Sequence, residues 1–103
     1  MPIESDHRRL DERSLALHGA VADAIRRDPA AINRALSNLA RWEKTLDGSW
    51  IAEWRTLLLG PQDALLAFLT ERSERADRLR QSSPFTGVLS PAQRRRIHES
   101  HAA

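Results

Sequence analysis

Arginine is the side chain through which this sequence could do most of its chemistry. Fifteen arginines stand against a single lysine, Lys44. The guanidinium is planar, always charged and weakly hydrated, which suits bidentate contacts to carboxylates and phosphates. Seven of them (Arg72, Arg75, Arg78, Arg80, Arg94, Arg95 and Arg96) fall in the C-terminal third. Such a cluster could neutralise phosphates and release their counterions. Yet Glu71, Glu74 and Asp77 are interleaved with the first four, a mixture that a dedicated phosphate stripe would avoid. The formal net charge is only +2, so most arginines read as solvated helix faces balanced by acids.

Other chemistries find little support. The chain has no cysteine and no tyrosine, no glycine-rich phosphate loop and no strained nucleophile turn. His98 and His101 stand three apart around Glu99, but no third ligand accompanies them, so neither a metal site nor a cofactor is expected. The carboxylates lie at helical spacing from arginines, as in Glu71–Arg75 and Glu74–Arg78, and read as surface pairs rather than a catalytic dyad. Catalytic residues are therefore not expected, and the chain is read as a non-enzyme.

A third possibility is contact with a partner protein. The stretch from Leu79 to Pro91 is the one long segment without helical patterning, and its Phe85, Val88 and Leu89 are too apolar for a spacer. Arginines flank it on both sides. Aromatic and arginine side chains dominate interface energetics, so Arg80, Ser82, Ser83, Phe85, Val88, Leu89, Arg94, Arg95 and Arg96 form the candidate partner-binding set. Phe85 has two readings of equal weight: an anchor for a partner, or a residue that closes the chain's own core.

The elements that must position these residues read as helices. Leu10, Ser14, Leu17, Val21 and Ala24 or Ile25 make one stripe on a first helix from about Ser5 or Asp6 to Arg27. His18 sits beside that stripe and reads as a surface or boundary residue. Asp28-Pro29 caps and restarts the chain. A second helix then carries Ile32, Ala35 or Leu36, Leu39, Trp42 and Leu46 inward, to about Thr45. Gly48 is expected to close it in a left-handed conformation, with Ser49 as the next cap. Trp50, Ile51, Trp54, Leu57 and Leu58 line a third helix, and Gly60-Pro61 starts a fourth with Ala64, Leu65, Phe68 and Leu69. Between Pro61 and Gln81 the pattern fits either one helix or two, the second capped by Ser73. Ser82-Ser83-Pro84 stops it, because a residue before proline is pushed from the α region. Ser90-Pro91-Ala92-Gln93 is a capping box that opens a short Arg-rich helix.

The segment Ser73 to Pro91, with Arg13-Ser14-Leu15-Ala16-Leu17-His18 and Asn38-Leu39-Ala40-Arg41-Trp42, resembles short helical proteins of bacterial toxin–antitoxin cassettes. The resemblance implies a small antitoxin that neutralises a toxin enzyme, such as a nucleotidyltransferase or a nuclease, by direct binding. It would place an aromatic such as Trp after the last capping box, where this sequence has Arg94-Arg95-Arg96.

The expectation is therefore an all-α, single small domain of five to six short antiparallel helices with an ordered apolar loop near the C-terminus. Its core spans 10–81 around Trp42, Trp50, Trp54 and Phe68, the loop 82–90, the Arg-rich helix 91–98 and a frayed tail 99–103. No apolar run is long enough to cross a membrane, no secretory leader is visible, and the absence of cysteine fits a cytoplasmic location. An antitoxin-like binding protein leads. A small DNA-binding transcriptional regulator using the C-terminal arginines is the alternative, with nucleic acid a secondary partner.

Overall fold

The computed structural model describes residues 2–101, with side chains from Asp11 onward. Six helices follow in order: α1 (Pro2–Arg27), α2 (Ala30–Trp42), α3 (Ser49–Leu59), α4 (Gln62–Leu69), α5 (Glu74–Arg80) and α6 (Pro91–Ser100). No strand occurs among the described residues. The protein is all-α, a single small globule. Its 26-residue α1 rises about 1.5 Å per residue and so sets the 38 Å long axis. α1 packs against α2, α4, α5 and α6, while α2–α3, α3–α4 and α4–α5 meet as sequential neighbours.

The stripes place the core. Val21, Ala22 and Ile25 of α1, Ala35 and Leu39 of α2, Ile51, Trp54 and Leu58 of α3, and Leu65, Phe68 and Leu69 of α4 are buried together. Leu10, expected at the head of the first stripe, lies outside the described side chains. Trp54 is the centre, fully enclosed, with Phe68 and Phe85 edge-on to its ring at centroid distances of 5.9 and 5.7 Å. Such T-shaped pairs add to the gain from burial alone. Trp42 and Trp50 are half-buried, lean on one another at 6.0 Å and pack against the edge of this cluster rather than at its centre. Leu46 is 52% exposed because α2 ends at Trp42 and the chain turns before the stripe is complete.

The caps explain most boundaries. Asp28 Oδ1 accepts the Ala30 N–H at 3.1 Å, so the Asp-Pro signal acts one residue later than its pattern implies. Gly48 does not close α2; it precedes α3 with φ 157°, and a Cβ there would collide with the Trp50 ring. Ser73 Oγ accepts the Ala76 N–H at 3.1 Å, which separates α4 from α5. At α6 the capping box is complete: Gln93 N–H donates to Ser90 Oγ at 3.1 Å, and Ser90 N–H to Gln93 Oε1 at 2.9 Å. That helix continues through Ser100, two residues beyond its expected end at His98. Its last turn is held by Ser100 Oγ–H to the Arg96 carbonyl at 2.8 Å and by a 3.0 Å contact between His101 Nδ1 and the Ile97 carbonyl.

Candidate functional site

The segment between α5 and α6 is built inward before it offers anything outward. Ser82 N–H closes a turn onto the Leu79 carbonyl at 3.0 Å, and Pro84, Phe85 and Leu89 are buried. A buried loop leaves backbone carbonyls without water, and these must find donors. Asn38 of α2 supplies both of its amide hydrogens, to the Pro84 carbonyl at 2.8 Å and the Thr86 carbonyl at 3.0 Å. Arg41 in turn donates to Asn38 Oδ1, which fixes the amide's orientation. Arg34 Nη1–H reaches the Gly87 carbonyl at 3.2 Å. Gly87 itself turns the loop at φ 85°, the left-handed region where a side chain is strained.

His18 fastens the other side. Its Nδ1 lies 2.8 Å from the Ser14 carbonyl, which can only accept, so Nδ1 carries the proton. Nε2 is then an acceptor for the Ser83 hydroxyl at 2.8 Å. Ser83 Oγ also accepts the Phe85 N–H at 3.3 Å, and the imidazole stands edge-on to Phe85 at 6.2 Å. Burial lowers the His18 pKa from 6.5 to about 4; the hydrogen bond to Ser14 opposes this and the charge of Arg80 adds to it.

Arg80 is buried as well, at 5% exposure. Its guanidinium donates to the Leu69 carbonyl at 3.3 Å, to the Glu71 carbonyl at 2.8 Å and to Asp77, so it ties the end of α4 to α5. Arg72 pairs with Glu12 of α1 at 2.7 Å. Arg75 and Arg78 both reach Glu53 of α3, at 3.3 and 3.4 Å, and not the expected Glu71 and Glu74. Arg75 is drawn across the bundle because its guanidinium lies over the Phe68 ring, 5.0 Å from the centroid. Hydrogen bonds from Arg78 first, then from Arg75, hold the Glu53 carboxyl below its ordinary value.

The nine candidate residues therefore divide. Arg80, Phe85 and Leu89 are interior, so the expectation that Phe85 could anchor a partner is corrected: it completes the core against Trp54 and His18. Ser82, Ser83 and Val88 are half-buried, with Ser83 engaged by His18. Arg94, Arg95 and Arg96 are exposed on α6 and make no ion pair among the described residues. Ile97 is half-buried and packs against the core, so the arginines occupy the remaining circumference of the helix.

Two cavities open beside the loop and share Gly87. One, of about 220 Å³, has Leu17, His18, Phe85 and Leu89 in its walls and Arg94 at its border. The other, of about 320 Å³, lies against Arg27, Asp28, Arg34 and Val88. No group of three potential metal ligands occurs among the described residues.

No family model, curated protein or solved structure matches this chain. The site must be read from its own geometry.

His18, Asn38 and Arg34 hold the loop and were not among the expected site residues. A signal for two of them exists in the sequence. His18 lies four residues after Ser14 and three before Val21, and Asn38 lies three after Ala35, so each polar residue interrupts an apolar stripe. No such signal marks Arg34, which is exposed.

Proposed function

We propose that this protein is a non-catalytic binding protein whose α6 and adjoining loop contact a partner protein. The observation that carries this reading is a division of labour among the C-terminal arginines. Arg72, Arg75, Arg78 and Arg80 are engaged by carboxylates of the same chain, whereas Arg94, Arg95 and Arg96 project from α6 with none among the described residues. The helix that carries them is set by a complete capping box and follows a loop pinned by three side chains, so these charges are displayed on a rigid support. Preorganised contacts bind with a smaller ordering cost. The resemblance to toxin–antitoxin cassettes supports a partner that is a toxin enzyme, held inactive by contact in the cytoplasm. No described helix is long and apolar enough to cross a membrane.

A DNA-binding regulator remains the second reading, and it draws on the same three arginines. Neutralisation of the other four removes most of the basic surface that phosphate binding would use. The deciding experiment is co-expression with the product of the adjacent reading frame. A stoichiometric complex that silences that product, and that is lost in the triple variant Arg94→Glu, Arg95→Glu, Arg96→Glu at unchanged thermal midpoint, is the expected result. Tight, salt-sensitive binding of the isolated protein to its own promoter, with no complex, would reverse the order of the two readings.

A further inference from the structure

We infer that the two cavities meeting at Gly87 form one recognition groove for an extended acidic segment of a partner protein, with one apolar side chain of that segment seated between Leu17 and Leu89. The inference rests on the proposed role as a protein-binding module and specifies the partner's chemistry. Three features of the groove lead to it. Gly87 borders both cavities, and the Arg34 side chain lies against it, its Nη1 3.2 Å from where a Cβ would stand, so a guanidinium sits where the two cavities meet. The smaller cavity is apolar on its floor, with Leu17, Phe85 and Leu89, and at about 220 Å³ is below the ~300–1,000 Å³ of small-molecule sites. It suits a single side chain better than a cofactor.

The rim supplies charge of one dominant sign. Arg94 borders the apolar cavity, and Arg27 and Arg34 border the other. Arg27 and Arg94 make no ion pair among the described residues, and Arg34 uses one nitrogen on the Gly87 carbonyl, leaving its other donors outward. Asp28 is the single acid in these walls, and its Oδ1 already accepts the Ala30 N–H. In an extended peptide, residues two apart lie on the same face. A Leu in the apolar cavity flanked at two residues on either side by Asp or Glu would then present one carboxylate toward Arg94 and one across Gly87 toward Arg34 and Arg27.

Nucleic acid fits the same surface less well. A phosphate backbone offers nothing to the apolar floor. Phe85 cannot serve as an open stacking platform, because its side chain is buried against Trp54 and His18.

The test uses the full chain, isotopically labelled, and four probes: the peptide Gly-Asp-Gly-Leu-Gly-Glu-Gly, its Leu→Ala form, its form with both acids replaced by Lys, and a twelve-nucleotide single strand. Amide shifts are followed up to about 1 mM probe, which captures contacts of the weakest useful affinity. The first peptide is expected to move Gly87, Val88, Leu89 and Arg94, and each altered peptide to weaken binding about tenfold or more. Arg94→Glu, at an exposed position, is expected to abolish the shifts and keep the spectrum of a folded protein. No shifts at 1 mM, equal binding of the Leu→Ala peptide, or tighter binding of the oligonucleotide at the same residues overturns the inference. A toxin complex that survives Thr86→Trp, which fills the mouth of the apolar cavity, would sink the groove while leaving the proposed function standing.

Discussion

Lowering the pH should unfasten the loop through one residue, His18. In the folded protein the imidazole is neutral, with its proton on Nδ1 and with Nε2 accepting from Ser83. Its pKa is about 4 when folded and 6.5 in the open chain. A group whose pKa is lowered by folding favours the folded state fully above the unfolded value, and that contribution is lost as the pH falls toward the folded value. The window is therefore pH 6.5 to 4. Almost nothing changes at pH 7.5; at pH 5 the unfolded chain binds a proton that the folded one largely refuses, a loss of about 2 kcal/mol. Near pH 4 the loss approaches about 3 kcal/mol. For a domain of this size 2 kcal/mol corresponds to a fall in thermal midpoint of roughly 10 °C.

Two features make the effect specific. Protonation would place a second N–H against Ser83 Oγ, which already receives the Phe85 N–H, and would set a cation inside beside buried Arg80. The assay is urea unfolding followed by tryptophan fluorescence, for the wild type and His18→Gln, at pH 7.5, 6 and 5. Carboxylates and the other histidines titrate in both proteins and cancel in the difference. The wild type should lose about 2 kcal/mol more than the variant between pH 7.5 and 5. Parallel losses in the two proteins would refute the reasoning, since His18 would then not be the group that refuses the proton.

Two further outcomes follow from the same packing. Phe85→Ala should cost about 3–5 kcal/mol in the same urea assay, because it empties the space between Trp54 and His18; a change below 1 kcal/mol would return Phe85 to the surface. Asn38→Ala leaves the Pro84 and Thr86 carbonyls without their donor and should cost about 1–3 kcal/mol, with faster hydrogen exchange in residues 82–90 than in α3. Uniform exchange through both segments would show that the loop does not depend on that amide.

What the sequence disclosed and what it hid divide along chain separation. Helix positions, the breaks at Asp28-Pro29, Gly60-Pro61 and Ser82-Ser83-Pro84, and the Ser90 capping box are local signals. Each is decided within one or two turns, and the structure shows each close to its place. The partners of polar side chains are not local. His18 meets Ser83 across 65 residues, and Asn38 meets Pro84 across 46. Helical periodicity reports that a residue lies on the apolar stripe, but a histidine there can equally mark a stripe's edge. The i, i+4 acid–arginine pairs failed for a related reason. An exposed pair of that kind gives only a few tenths of a kcal/mol, so packing of Arg75 over Phe68 and the nearby Glu53 outweighed it.

The apolar loop is the most ambiguous stretch in the sequence, and its burial explains the two polar residues, His18 and Asn38, that intrude on the helix stripes. Bringing non-helical backbone inside the bundle lets Phe85 close the space beside Trp54, but it also takes the carbonyls of Pro84 and Thr86 out of water. Asn38 answers that demand on the inner side, where His18 accepts the Ser83 hydroxyl; Arg34 donates to the Gly87 carbonyl at the rim, and no buried side-chain polar atom is left unpaired among the described residues. A loop held this way has little freedom left to lose. The exposed side chain of Thr86, the half-buried Val88 and the arginines of α6 are thus presented by interior bonds, so a partner that docks there meets a surface already ordered. On the proposed binding function, stability and recognition should be separable: substitutions at His18, Asn38 or Phe85 should act first on stability, and substitutions at Arg94, Arg95 or Arg96 on binding alone.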